Sequence, residues 1–384
     1  MDIIYLDNSA TTPVCPEAYE AMKYAMECYA NPSSLHFFGH NAEKMINEAR
    51  KNIADSLGIR NASHTVIFTS GGTEANNIAV TGVALAKNFK KPRIIISDSE
   101  HACVMEPAKR LTDAGFEVIH IPTKNGNLDQ EAFIEAMTEN TVLVSVMLVN
   151  NETGAIYNIR KIFDYARRIN PSVICHTDAV QAYLKIKFTL ASLGTDMVTI
   201  SSHKIHGPKG IGALVVKNDL LKSKKSRPIV IGGGQELDIR SGTENTIGIA
   251  GFGAAAKVGF ENFERDFNTM SQLREYMLQN LPEFVKVNNP KEHAPHIVSI
   301  TIPNIKSETM LHFLSSKGIC VSSGSACSSH GKHGSYVLKA FGLNDGDADC
   351  TLRVSISHYT TKENIDALVD ALTEGEQTLV KIKR

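Results

Sequence analysis

The sequence predicts an α/β protein: a large unit on a mostly parallel mixed sheet flanked by helices, plus a smaller α/β unit. Three observations predict it. Short, continuous apolar runs alternate with helix-like segments between residues 66 and 216, as expected for strands covered on both faces. The composition changes near residue 230, where Ile231-Gly232-Gly233-Gly234-Gln235 and Arg240-Ser241-Gly242-Thr243 read as loops. The length of 384 residues also exceeds a single domain of about 150.

The elements follow in order. Val66-Ile67-Phe68 reads as a short buried strand, and further strands are expected at 93–97, 117–121, 142–149, 173–176, 197–200 and 211–216. Of the intervening helices, 158–169 is the clearest. Ile159, Ile162, Phe163, Ala166 and Ile169 recur at helical spacing, and Pro171 stops the run. Beyond the glycine-rich loops a helical stretch is expected over 246–280, closed by Pro282 and the Asn288-Asn289-Pro290 turn. A strand at 297–302, a helix at 307–316 and a strand at 352–357 follow. Thr360 and Glu363 are spaced as a capping box for a last helix with Ile365, Leu368, Val369 and Leu372 on its buried face. The division is drawn at 15–245 for the large unit, with 1–14 and 246–384 forming the small one.

Charge and cysteine content exclude several function classes. Forty basic against forty-one acidic residues give a net charge of −1, so there is no global footprint for nucleic acid. The clearest local basic run, Lys222-Ser223-Lys224-Lys225-Ser226-Arg227, reads as a solvated loop, with a partner or nucleic-acid contact as the alternative. Seven cysteines without a CxxC pair signal neither a zinc ribbon nor a thioredoxin-like pair and fit a reducing cytoplasm. No signal peptide is read at the N-terminus and no run of 18 apolar residues is present, so no membrane partner is expected.

Three loops at expected strand ends could carry chemistry. Ser70-Gly71-Gly72-Thr73-Glu74-Ala75 puts glycines at a strand-to-helix turn, where bare N–H groups can face a phosphate; a simple tight turn is the alternative. Asp178 follows the strand at 173–176 and either pairs with a protonated ring nitrogen or caps a helix. Ser201, His203 and Lys204 lie together after the strand at 197–200, where an amine could form a Schiff base. Lys204 and Lys209 compete for that role. Phosphate-like turn, strand-end aspartate and strand-end lysine in this order are more specific than any one of them.

On these residues the chain resembles the NifS/IscS-like cysteine desulfurases, in the class V branch of the fold-type I, pyridoxal phosphate (PLP)-dependent aminotransferase superfamily. The resemblance runs from Tyr5-Leu6-Asp7-Asn8-Ser9-Ala10-Thr11-Thr12 to Leu352-Arg353-Val354-Ser355. It is most specific at Asn31-Pro32-Ser33-Ser34, Asn150-Asn151-Glu152-Thr153-Gly154, Arg240-Ser241-Gly242-Thr243 and Ser323-Gly324-Ser325-Ala326-Cys327. It implies a fold-type I PLP-binding large domain. Lys204 would hold PLP, Asp178 would pair with its ring nitrogen and His101 would stack on the ring and assist proton transfer. Asn151 and Gln181 would lie near the phenolic oxygen. Gly72, Thr73, Ser201 and His203 would hold the phosphate. Thr243 would reach the phosphate in the other subunit of a homodimer. Arg353 would clamp the substrate carboxylate, with Asn31 nearby.

The same resemblance makes Cys327 the nucleophile, on a loop at 322–334. The residues agree: the segment is rich in serine and glycine, and His330, Lys332 and His333 could lower a thiol pKa if they fold near it. A buried, inert cysteine or solvated loop histidines are the alternatives. Residues 330–334 depart from the family's usual sequence here. The spacing of Cys327, His330 and His333 is too compressed for a zinc site, and no metal is expected. The implied reaction converts L-cysteine to L-alanine with sulfur retained on Cys327. It is then passed to an acceptor protein such as an iron–sulfur scaffold or a tRNA-thiolation enzyme. A selenocysteine lyase or cysteine β-lyase is the alternative on the same cofactor site.

Overall fold

The computed structural model describes residues 3–61, 63–86, 92–324 and 335–382. In chain order its strands are β1 (Ile4–Tyr5), β2 (His64–Thr69), β3 (Arg93–Ser97), β4 (Glu117–Ile121), β5 (Thr141–Ser145) and β6 (Ile174–Asp178). Then come β7 (Met197–Ser201), β8 (Gly212–Lys217), β9 (Lys286–Val287), β10 (Ile297–Thr301), β11 (Ile319–Cys320) and β12 (Thr351–Ser355). Seven strands form one sheet in the order β2-β8-β7-β6-β5-β3-β4. Its pairs are parallel except at β8, which runs against both neighbours.

Strand residues alternate between the two faces, as the period of 2 requires. Ile94 and Ile96 pack on one side with Ile78, Val83, Val104 and Leu111. Those partners come from the helices Gly72–Leu85 and Ala102–Asp113. Ile95, Val144 and Val198 face the other side, with Ile53 of the helix Phe37–Ser56 and Phe163 of the helix Ile159–Ile169. The helix Ile159–Ile169 matches the sequence reading in that Ile159, Ile162, Phe163 and Ala166 are buried and Asn158 caps it, but Ile169, in its last turn, is exposed.

The smaller assembly has two sheets. β10 lies between β12 and β9, antiparallel to both, while β1 pairs in parallel with β11. Leu6, Val298, Ile300, Leu352, Val354, Leu368 and Leu372 form its core.

Two local expectations change. The stretch 246–280 is two helices, Thr246–Glu261 and Phe263–Asn280, joined at Asn262. Asn262 leaves helical geometry (φ −101°, ψ 5°) and its side chain donates back to the Val258 carbonyl. The first helix buries Ile249, Phe252, Ala255 and Ala256 in the core of the large sheet. The second buries Met270, Leu273 and Met277 in the smaller core. The final helix, Lys362–Thr378, is capped one residue later than expected, by the reciprocal pair Thr361 and Asn364. Thr360 instead accepts a hydrogen bond from the Ser357 N–H.

The register of the large sheet prepares the site. Because β8 is reversed, β2 points the same way as β6 and β7, so their C-terminal ends share one edge. Thr69 and Ser201 both pair with Gly212, and Asp178 pairs with Thr199, two residues before Ser201. The turn after β2 folds across Gly212. A Cβ there would lie 2.7 Å from the Gly71 carbonyl carbon and 2.8 Å from the Ile200 oxygen.

Candidate active site

The strand ends open onto a cavity of about 250 Å³, in the crevice where open α/β sheets bind ligands. Ten of the residues singled out from sequence line it: Gly72, Thr73, His101, Asn151, Asp178, Gln181, Ser201, His203, Lys204 and Arg353. Asn31 and Thr243 do not; both are exposed. Lys209, the competitor of Lys204, is also exposed and outside the cavity. Cys327, His330, Lys332 and His333 lie outside the described residues.

Each wall has a local cause. Gly71 is the N-cap of the helix Gly72–Leu85, and the first N–H groups of a helix have no carbonyl within it to bind. The approach is close: a Cβ on Gly72 would meet Val180 Cγ2 at 2.9 Å. Asp178 closes β6. Its Oδ2 accepts from Asn76 Nδ2 at 2.6 Å and its Oδ1 from the Val180 N–H at 2.9 Å. Burial raises the Asp178 carboxyl above its usual range, opposed by those two donors and by His101 and Lys204. A cation beside it would offset the cost of that charge.

Lys204 sits in a 3₁₀ turn just past β7. Its Nζ donates to the carbonyls of Ser9 and Ala10 at 2.6 and 2.7 Å. Gln181 Nε2 donates to the same Ser9 carbonyl at 2.9 Å. Burial, helped by Lys204 and Lys209, lowers the His203 pKa to about 4, so its ring is neutral near pH 7.

Arg353 comes from the smaller assembly, on β12, and is 3% exposed. Its Nη2 binds Asp7 Oδ1 at 2.8 Å and its Nη1 binds the Asn151 carbonyl at 2.9 Å. The N-terminal segment thus spans the site, with Asp7 on the arginine and Ser9 and Ala10 on the lysine.

Asp7, Asn76 and Cys103 were not singled out from sequence as site residues. Asn76 had a signal: it lies four positions, about one helical turn, after Gly72. Asp7 pairs with a residue 346 positions away, which no local pattern reveals.

The family model Aminotransferase class-V matches residues 4–368. "Cysteine desulfurase IscS" of Dictyoglomus turgidum is 38% identical over 375 residues, covering 96% of this chain and 93% of the relative. The chain belongs to the cysteine desulfurases of the class-V aminotransferase family. A solved structure described as a NifS-like protein is 33% identical with a TM-score of 0.89, covering 98% of this chain and 99% of its own. Another, described as SspA in complex with cysteine, is 32% identical with a TM-score of 0.81, covering 93% and 99%.

Cysteine desulfurases use pyridoxal 5′-phosphate, and the cavity fits it. Ser201 Oγ, Asn151 Oδ1 and Arg353 Nε are buried there with no partner among the described residues. Such groups cost about 1–3 kcal/mol each unless a ligand or water satisfies them. Among the described residues no three His, Cys, Asp or Glu side chains gather as a metal set. No helix among them is long and apolar enough to cross a membrane.

Proposed function

We propose that the protein converts L-cysteine to L-alanine and carries the released sulfur on Cys327 as a persulfide. The observation that carries this reading is one cavity uniting Lys204, Asp178 and the guanidinium of Arg353. When bound, PLP supplies an electron sink for bonds at the substrate α-carbon. Gly72, Thr73, Ser201 and His203 would hold its phosphate, and Asp178 the proton on its ring nitrogen. His101 would cover the ring face, and Asn151 and Gln181 would flank the phenolic oxygen. Lys204 Nζ would bind the cofactor covalently and, once displaced by substrate, accept the proton from Cα. Arg353 is oriented in advance by Asp7 and the Asn151 carbonyl, which leaves Nε for the substrate carboxylate.

The described residues on both sides of 325–334 support a sulfur-carrying loop at this cavity. Ser322 exchanges backbone hydrogen bonds with Arg353 itself. The Ser335 hydroxyl donates to Glu152, next to Asn151, and the Tyr336 hydroxyl to the Glu100 carbonyl, next to His101. An acceptor protein is too large for a cavity of about 250 Å³, so Cys327 would meet it outside. An iron–sulfur scaffold is the proposed acceptor, with a tRNA-thiolation enzyme second.

A homodimer is part of the reading. Tyr29, Leu35, Phe37 and Ile231 are 82%, 90%, 71% and 85% exposed, large apolar side chains that a second copy would cover. Asn31 lies among the first three in sequence, and Thr243 follows the loop containing Ile231. In this reading Thr243 reaches the cofactor phosphate of the other subunit, and Asn31 completes a substrate site. A cytoplasmic location is proposed because seven cysteines without a CxxC pair fit a reducing compartment.

Replacing Lys204 with Ala should abolish both alanine formation and the visible absorbance of the protein-bound cofactor. Alanine production at the parental rate in that variant would sink the assignment. In the parent, cysteine plus reductant should give alanine and sulfide in equal amounts. Pyruvate and ammonia as products would instead mark a β-lyase. Cys327→Ser should retain the cofactor yet form no protein persulfide.

A further inference from the structure

Cys103 lines the cavity, two residues past His101. His101 caps the helix Ala102–Asp113, and its Nδ1 accepts the Cys103 backbone N–H at 3.2 Å. A ring nitrogen that accepts an N–H carries a lone pair, so the proton of the neutral ring sits on Nε2. Cys103 Sγ lies 2.9 Å from the same Nδ1. The thiol is therefore the donor in that contact. The sulfur in turn accepts from Asn76 Nδ2 at 2.9 Å, and the same amide nitrogen donates to Asp178 Oδ2 at 2.6 Å. A connected path runs from the Asp178 carboxylate through the Asn76 amide and the Cys103 thiol to the His101 ring.

The electrostatics hold each member in its role. Burial, reinforced by the Asp178 charge, pushes the Cys103 thiol well above its ordinary pKa, so it keeps its proton. Burial also lowers the His101 pKa; Asp178 pulls the other way, and the Lys204 and Arg353 charges reinforce the lowering. A buried thiolate, the reactive form expected of a transfer cysteine, is what this pocket disfavours. Cys103 is thus suited to hold its neighbours and unsuited to attack a sulfur.

We propose that Cys103 is a positioning residue that fixes His101 as its Nε2–H tautomer and ties the ring to Asp178 through Asn76. The catalytic consequence rests on the cofactor reading above, while the contacts are the chain's own. With Nδ1 occupied from behind, Nε2–H is the hydrogen-bond donor left to groups in the cavity. Without the thiol, Nδ1 keeps only the backbone N–H, and the vacated volume admits water. Both changes favour the charged ring.

The test uses protein labelled with ¹⁵N in its histidines, studied with and without cofactor. In the parent, His101 Nδ1 should show the shift of an unprotonated nitrogen at neutral pH and titrate below the ordinary histidine value of about 6.5. Cys103→Ala should raise that midpoint by about one unit, and the acid limb of kcat/KM should move with it. Cys103→Ser, which restores a donor, should bring both back toward the parent. An unchanged His101 titration in folded Cys103→Ala would overturn the proposal. A shift in the cofactor-free protein supports it even if the loaded protein forms no alanine, in which case the functional reading fails and this one stands.

Discussion

Ser201 shows how one atom can face two demands. Its hydroxyl is buried at the end of β7 with no partner among the described residues. Without a ligand it is a cost; with a phosphate against it, it becomes a donor. Ser201→Ala should therefore act with opposite signs on the two forms. The cofactor-free protein should gain about 1 kcal/mol in urea unfolding, because an unsatisfied buried hydroxyl is removed. Affinity for PLP should fall roughly ten- to hundredfold, the loss of one hydrogen bond to a charged group. A variant destabilised in both forms would show that the hydroxyl has a structural partner instead. Ser201, like Asp178 and Lys204, was legible from the chain because each follows a strongly apolar strand directly. The contacts that Cys103 and Asp7 make were not. A thiol two residues beyond a histidine looks like any other, and an aspartate near the N-terminus gives no hint of an arginine on β12.

At the scale of elements, the β2-to-helix turn depends on the strand beneath it. Gly212 opens β8 between Thr69 and Ser201, and a methyl group there would press on backbone atoms at 2.7–2.8 Å. Backbone on both sides cannot rotate away as a side-chain tip could. Gly212→Ala should cost about 1–3 kcal/mol and displace the turn after β2. The readouts are a lower urea midpoint and weaker PLP binding, though Gly212 itself does not line the cavity. Unchanged cofactor affinity would separate the turn from the strand below it. The sheet could be read from sequence because strands buried on both faces are continuous apolar runs, and the helix Ile159–Ile169 because burial of one face imposes a period of 3.6. The break at Asn262 could not, since apolar spacing continues through it and only the separation of two cores requires the bend. The cap at Thr361 was missed by one residue because neighbouring threonines offer the same chemistry.

The whole molecule stores buried ionisable groups that should shape its response to pH. Glu100 is fully buried, and burial raises its pKa to about 8, although Ser97 and the Met147 N–H oppose the rise. Above pH 4.3 or so the unfolded chain releases this proton, while the native state retains it until about pH 8. The stability linked to it is complete at low pH and is lost as pH rises through that window. Glu100→Gln keeps an acceptor for Ser97 and Met147 but cannot ionise. Relative to the parent, it should gain about 2 kcal/mol between pH 6 and pH 8 in urea titrations. A constant difference between the two would refute this. Acid acts through other groups. Burial lowers His176 to about 3 and His206 to about 2, so stability should also fall as pH drops below about 6.5, where the unfolded chain takes up protons that these rings refuse. The span from Asp7 to Arg353 has a further consequence, in time. On a ribosome adding about 5–20 residues per second, the N-terminal segment waits about 17–70 s before β12 exists to receive it, because Asp7 and Arg353 lie 346 positions apart. The seven-stranded sheet can assemble in that interval, but the side chain that orients the arginine is made 346 residues before the arginine itself. Completion of the cavity therefore comes later in synthesis than the sheet, and a nascent chain stalled before residue 351 would carry Lys204 and Asp178 without the guanidinium that lines the cavity with them.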